Sequence, residues 1–511
     1  MFLLRVFIVF TVFFFTFMPI EKVEAAPENV ATPVDVNAVL RTFNTAWDDD
    51  DWDTANTSGS QLISLPIFDQ QSDEFQYSIL ARLGFTRRMV GDFDGALEAW
   101  NQADGVSSDP SLLQYWRVYL FNQTENWQAA TENLILLADT NKDLLNSIRI
   151  QLVFQILNGL RDADLVDREI GLMYSLLENY VPEEPFTTLE FIRLRQARRL
   201  VQLDDLAGAL YQIQRLTRGD TRASIRTESA FAELWENSSF DILTNVQSGV
   251  EAQLALAQRQ TEENPEYLEP ISNHIRALLT LDRAEEAEAI GRATYLRLTN
   301  GEAFLDADEN SSWLMNEYAY SLYALDRLEE ANSVMRRAAG FVEGQNPNVS
   351  QTINLASMLT YQERYQDALE VLQVMDERPA SPYGDMWVWA TRACSFHMLG
   401  NRMQSEANIA LLSENWEDNP SAYQKATICT ERHDDAAELM IQRLQDPTHA
   451  PGALEAMQIR NPLMVSSRMP NVRIWSERVD QLANHPDVAE ALLSVGRIEE
   501  VDIIDHYWGN F

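Results

Sequence analysis

Leu80-x-x-Leu83-Gly84-x-x-Arg87, then Gly91-Asp92-Phe93, then Ala96-x-x-x-Trp100, with Pro110 beyond, is a helix, a turn and a second helix in direct succession. The small residues Gly84 and Ala96 stand twelve apart on either side of the turn. A bulky side chain at either place would hold two antiparallel helices apart, so small residues at both let the backbones approach closely.

The arrangement recurs as a polar turn, an apolar residue and an alanine three residues later. It is present in Asp51-Trp52 to Ala55, Asn126-Trp127 to Ala130, Asp205-Leu206 to Ala209, Arg283-Ala284 to Ala287, Arg327-Leu328 to Ala331 and Arg364-Tyr365 to Ala368. Ala197, Ala319 and Ala356 precede three of these alanines by twelve residues, as Gly84 precedes Ala96. The spacing between alanines varies from 34 (Ala96 to Ala130) to 44 (Ala287 to Ala331), so the repeat is degenerate. Two longer gaps leave room for one poorly matching helix pair each, over Ile148 to Tyr180 and Ser229 to Arg259. Beyond Ala368 the fit weakens around Ala407 and Ala437.

This recurrence resembles the tetratricopeptide repeat, with Arg87 standing where that pattern has an aromatic. The resemblance covers residues 36–445 and implies an all-α, right-handed superhelical solenoid of eight to ten antiparallel helix pairs. Helical spacing of Leu314, Tyr318 and Leu322, and of Leu369, Leu372 and Met375, agrees. Breakers at Pro182-Glu183-Glu184-Pro185, Asn264-Pro265, Asn346-Pro347 and Pro379-Ala380-Ser381-Pro382 fall between pairs. No run alternates strongly enough to demand a sheet. After Pro447 the pattern stops. Val472, Trp475, Val479 and Leu482 mark one helix and Val488, Leu492 and Val495 another, so residues 446–511 are expected to cap the last apolar face of the stack.

The amino terminus reads as a secretory signal peptide over residues 1–25: Arg5, an apolar stretch of 13 residues from Val6 to Met18, and the small residues Ala25-Ala26 at the cleavage site. That stretch is shorter than the roughly 20 residues a spanning helix needs. The reading is therefore a periplasmic or secreted chain, with no membrane insertion after cleavage.

With 78 acidic against 39 basic residues the net charge is −39, which disfavours nucleic acid and anionic lipid surfaces as partners. Only three lysines are present, Lys22, Lys142 and Lys425. Such a surface suits an environment rich in external salt, where repulsion is screened. Sequons at Asn56, Asn122, Asn237, Asn310 and Asn348 matter only in a eukaryotic secretory pathway.

The sequence carries no nucleophile elbow, phosphate loop or zinc-protease helix. Six scattered histidines do not share a helix face. Asp306-x-Asp308-x-Asn310, with Glu317 eleven residues after Asp306, has the oxygen spacing of a calcium loop. Ser311, however, replaces the glycine of the sharp turn, and Ser311 and Ser312 suit helix N-caps, so no metal or other cofactor is assigned. Cys394 and Cys429 fall on the leading helices of neighbouring pairs, where a disulfide is geometrically allowed and two buried thiols are the alternative.

From the resemblance follows the functional expectation: a non-catalytic scaffold of the bacterial cell envelope that holds a protein or peptide in its concave groove. Asn316 and Tyr320, four apart on one leading helix, and Asn354 on the next are the candidate contacts, since an amide side chain both donates to and accepts from a peptide backbone. The acidic chain calls for a basic partner. The alternative is an envelope enzyme, or enzyme subunit, whose site is assembled from dispersed residues on the same scaffold.

Overall fold

The computed structural model describes residues 35–107, 109–183, 185–343, 346–376, 380–462 and 470–505, and the stretch read as a signal peptide lies outside them. The described chain forms two compact units that divide between Thr187 and Thr188. The first unit contains α1 (Val36–Asp48), α2 (Trp52–Ile63), α3 (Asp73–Met89), α4 (Phe93–Asp104) and α5 (Ser111–Gln123). It continues with α6 (Trp127–Thr140), α7 (Lys142–Asn146), α8 (Ile150–Asp162) and α9 (Val166–Asn179).

The second unit begins with α10 (Glu190–Gln202), α11 (Leu206–Ile213), α12 (Gly219–Thr227), α13 (Phe240–Leu243) and α14 (Val246–Glu263). Then come α15 (Leu268–Thr280), α16 (Ala284–Thr299), α17 (Ala307–Ala324), α18 (Leu328–Ala339) and the short strands β1 (Val342–Glu343) and β2 (Asn346–Pro347). The array continues with α19 (Val349–Tyr361), α20 (Tyr365–Leu372), α21 (Pro382–Met398), α22 (Arg402–Glu414), α23 (Pro420–Cys429) and α24 (His433–Gln445). Last are α25 (Ala450–Ala456), β3 (Ile459–Pro462), α26 (Pro470–Ala483), α27 (Pro486–Val495) and β4 (Glu500–Asp505).

Ten antiparallel pairs result: α1/α2, α3/α4, α5/α6 and α8/α9 in the first unit, and α10/α11, α15/α16, α17/α18, α19/α20, α21/α22 and α23/α24 in the second. Each unit is thus an all-helical, tetratricopeptide-like stack. The described strands pair only two by two, β1 with β2 and β3 with β4.

All ten pairs turn in the same way. A residue in the left-handed region ends each first helix: Asp50, Gly91, Glu125, Asp164, Asp204, Asp282, Asp326, Glu363, Gly400 and Glu431. The next N–H then donates to the carbonyl five residues back, as Asp92 does to Arg87 at 2.8 Å and Arg432 to Thr427 at 2.9 Å. This is the Schellman closure, which satisfies an orphan carbonyl and reverses the chain. Only two of the ten turns use glycine; the rest hold an acidic residue in a conformation that costs an L-residue about 1 kcal/mol.

The residue closing that bond is also the N-cap of the second helix, and apart from Leu165, which starts α9 with no side-chain cap, it comes in two kinds. Asp51, Asp92, Asn126, Asp205 and Asn401 accept from the N–H three residues on. Arg283, Arg327, Arg364 and Arg432 instead pair with Glu286, Glu330, Asp367 and Asp435, again three residues on. The last three arginines also reach back to the second helix of the preceding pair, to Glu288, Glu329 and Glu406. Stacked pairs are laced together along that edge.

Four residues past the N-cap lies the crossing point of the two helices. Ala55, Ala96, Ala130, Ala209, Ala287, Ala331 and Ala368 are all 0 % exposed there. A Cβ on Gly84 would sit 2.3 Å from the Trp100 indole nitrogen, which itself donates to the Ala81 carbonyl at 3.0 Å.

Some boundaries differ from the sequence reading. Ser311 and Ser312 are inside α17, whose N-cap is Asp306. Ala407 is exposed; the crossing residue of α22 is Ser405, whose hydroxyl donates to the Ala393 carbonyl. Ile148 to Tyr180 does contain a pair, α8/α9. Ser229 to Arg259 does not: a 3-10 turn at Ser229–Leu234 and α13 lead into α14, which packs on α12. Gly219 and Gly249 meet there, with a Cβ on Gly249 falling 3.1 Å from the Gly219 backbone.

Residues after Pro447 do more than cover the last pair. α27 packs on α24, but α25 reaches α12, and β4 reaches α14 and α15. Arg497 donates from its N–H to the Thr227 carbonyl and from Nε to the Arg226 carbonyl, each at 2.8 Å, and Arg226 pairs with Glu499. The second unit is therefore tied from its last helices back to its first.

Two glycines test the crossing rule in opposite directions. Gly84→Ala should lower the unfolding free energy by about 1–3 kcal/mol, because overpacking outweighs the better helix propensity. Gly171→Ala, at an exposed position of α9 with nothing within 4 Å of the new Cβ, should raise it by about 0.5–1 kcal/mol. Urea denaturation of both variants, with wild type alongside, measures the two signs.

Candidate partner-binding groove

The leading helices α17, α19, α21 and α23 succeed one another in the second unit, so residues at matching places on them form a continuous face. On α19, Asn354, Ser357 and Tyr361 are three and four apart and share that face. The Asn354 side-chain amide donates to Asn316 Oδ1 on α17 at 2.9 Å. Asn316 is 0 % exposed and Tyr320 is also buried, whereas Asn354 is half-buried. The candidate asparagines are thus brought together, and Asn354 is the member that reaches the surface.

Further along, α21 contributes Thr391, Cys394 and Met398 and α23 contributes Lys425 and Cys429. Cys394 and Cys429 are joined as a disulfide with their Cα atoms 5.6 Å apart, cross-linking neighbouring leading helices. Lys425 is 5 % exposed. Its ammonium lies 4.9 Å from the Tyr361 ring centroid, 5.5 Å from Trp387 and 5.9 Å from Trp475. No described carboxylate pairs with it. Loss of hydration in this apolar setting lowers its pKa from 10.5 to about 8.

The groove is covered. Helix α26 lies against α19, α23 and α24, and its Ile474, Trp475 and Arg478 complete the lining of a cavity of about 60 Å³ with the residues just named. Arg478 donates to the Cys429 carbonyl at 3.0 Å and to the Ile428 carbonyl at 3.4 Å, and it pairs with Glu431. Those are the terminal carbonyls of α23, the negative end of its dipole. A second cavity, of about 160 Å³, lies on the other side of α26 between Ile428, His433, Leu482 and His485. Both are smaller than the roughly 300 Å³ at which small-molecule pockets begin.

The four residues with calcium-loop spacing are distributed along a helix start. Asp306 accepts from the N–H groups of Leu268 at 2.7 Å and Glu269 at 2.9 Å and from Asn310 at 3.0 Å. Asp308 and Asn310 lie in the first turns of α17, and Glu317 is buried further along it, paired with Arg276 at 2.9 Å. Among the described residues no three His, Cys, Asp or Glu side chains are grouped to hold a metal. Asn348, in one of the sequons, is fully buried and caps α19. No described helix is long and apolar enough to cross a membrane.

Lys425, Trp475 and Arg478 were not singled out from the sequence as groove residues. The one hint is that Lys425 is among only three lysines in a chain with 78 acids.

No family model matches the sequence, and no curated protein matches it. Among solved structures, the chain is similar over 90 % of its length to the APC/C hetero-tetramer Cut9-Hcn1, at 11 % identity, 96 % coverage of that chain and a TM-score of 0.29. It is similar over 90 % to Naa15/Naa10 bound to HypK-THB, at 12 % identity, 79 % coverage and a TM-score of 0.23. It is similar over 88 % to the TPR domain of P58(IPK), at 13 % identity, 98 % coverage and a TM-score of 0.19. Scores this low leave the fold resting on the helix pairs and turns themselves.

Two outcomes follow for the groove. Between pH 8 and 10.5 the unfolded chain holds a proton on Lys425 that the folded chain has released. Stability attributable to this residue therefore rises with pH across that window and is lost as pH falls through about 8. Relative to Lys425→Met, wild type should gain up to about 3 kcal/mol between those limits, read from denaturation curves of both proteins at each pH. Removing the disulfide with Cys394→Ala and Cys429→Ala, which frees a 35-residue separation, should cost about 3–4 kcal/mol in the same assay.

Proposed function

We propose that the chain is a non-catalytic protein-interaction scaffold of the bacterial cell envelope, exported by its amino-terminal segment, and that it binds a protein or peptide partner on the groove face of its leading helices. The observation that carries this reading is the continuous face of α17, α19, α21 and α23, on which half-buried Asn354 is held by buried Asn316. A side-chain amide fixed in this way presents hydrogen-bonding capacity to a peptide backbone without reading its side chains. The disulfide between α21 and α23 fits an oxidising compartment outside the cytoplasm. The net charge of −39 favours a partner with basic residues, whose association slows as salt rises.

Affinity capture from native envelope fractions tests this. A protein retained by wild type should be retained about tenfold less well by Asn316→Ala with Asn354→Ala, the loss of a contact of hot-spot size. Thermal unfolding of the variant checks that the array is intact. A partner bound equally by both proteins would remove Asn354 and its face from the binding site, and retention that is indifferent to salt would remove the basic partner.

A further inference from the structure

The α19–α21–α23 face is occupied by the chain's own helix, and α26 is seated there differently from the way the repeat pairs are packed. Within pairs, helices meet at methyl-sized contacts, as at Ala331 and Ala368, both 0 % exposed. Around α26 the seating leaves clefts of about 60 and 160 Å³ that open to solvent beside the helix.

What holds α26 is a small set of anchors on one side of the helix. Trp475 is 7 % exposed and faces the unpaired Lys425. Three residues on, Arg478 grips the last carbonyls of α23 and Glu431. Leu482, one further turn along, is buried in the same cluster as Val488 and Leu492 of α27.

The chain on either side of α26 is attached independently. α25 packs on α24 and α12, and β3 pairs with β4. α27 packs on α24, while Arg497 and Glu499 are tied to Thr227 and Arg226. Release of α26 would therefore leave both its flanks and the end of the array in place.

We infer that α26 is a displaceable resident ligand of the α19–α21–α23 groove, and that the external partner of this groove is an amphipathic helix presenting a large aromatic residue and, three residues later, an arginine. This rests on the groove-binding reading above and names both the ligand and the device that regulates access. The aromatic lies against Lys425, with which no described carboxylate pairs, and the arginine meets the negative end of α23. An occupant tethered at both ends keeps weak partners out and yields to a helix that repeats its anchors.

The experiment uses the full chain, with a fluorescent peptide of residues 470–483 as probe. The receptor variant Trp475→Ala with Arg478→Glu should bind this peptide saturably. Wild type should bind it at least about tenfold more weakly, because a tethered competitor acts at about millimolar effective concentration. The same peptide carrying both substitutions should bind neither protein. Arg478→Ala alone is the milder second receptor, and helical circular dichroism checks both.

A folded variant that binds the peptide no better than wild type would overturn the inference. So would collapse of the fold in both variants, since a displaceable ligand is one the array can stand without. The scaffold reading is judged separately: partner capture by wild type with no peptide binding by the variants would sink α26 as a ligand and leave the scaffold standing.

Discussion

Two helices approach most closely where a small side chain stands at their crossing, and in this chain ten pairs repeat that crossing at one register, nine of them with alanine or serine on the second helix. The register is set by the turn. A left-handed residue stops the first helix, the following N–H closes on the carbonyl five residues back, and that same residue caps the second helix. Counting four residues from the cap then places the crossing point, so the turn geometry and the small side chain specify each other. Neither would suffice alone: the turn without the small residue would splay the helices, and the small residue without the turn would meet nothing.

This coupling explains which pairs were legible in the sequence. Eight carry alanine at the crossing: the seven signatures in the sequence all fall on the start of a second helix, and the eighth alanine is Ala436, one residue before Ala437. The other two fill the place differently. Ser405 donates to the Ala393 carbonyl across the crossing. In α8/α9 the corresponding residue is Glu169, fully buried. A polar group that bonds across the interface tolerates close approach as well as a methyl does, but it removes the alanine that a sequence reading looks for. Ala407 drew the eye two residues away from the true position for this reason. Ser229 to Arg259 differs in the other direction, since helical apolar spacing does not distinguish a helix paired within that stretch from α14, which packs on α12 before it and α15 after it.

The groove was only partly legible. The asparagines lie on the two successive leading helices named for them, α17 and α19, and the hydrogen bond between them follows from their matching positions. That the groove is already covered could not be read from the repeat, because α26 belongs to a different pattern about 120 residues after α19 begins. Its helical spacing marks an apolar face at Trp475 and Leu482, but spacing says nothing of what that face meets. A tail after a solenoid ordinarily seals the final apolar surface. Here α27 takes that place on α24, which leaves α26 free to lie across the leading helices.

The charge pattern bears on why α26 is held as it is. Arginine makes many of the ties between elements in the second unit: Arg327, Arg364 and Arg432 between pairs, Arg226 and Arg497 where the ends meet, Arg478 on α23. A planar guanidinium can serve a carboxylate and a backbone carbonyl at once, so each tie fixes orientation as well as distance. An ammonium does neither well. Lys425 lies where no described carboxylate pairs with it, among the rings of Tyr361, Trp387 and Trp475. In that position it attracts an aromatic face and little else, and the only ring of the three that belongs to a separate, singly layered helix is Trp475. The proposed exchange of α26 for an external helix therefore turns on a buried ammonium that no described carboxylate pairs with.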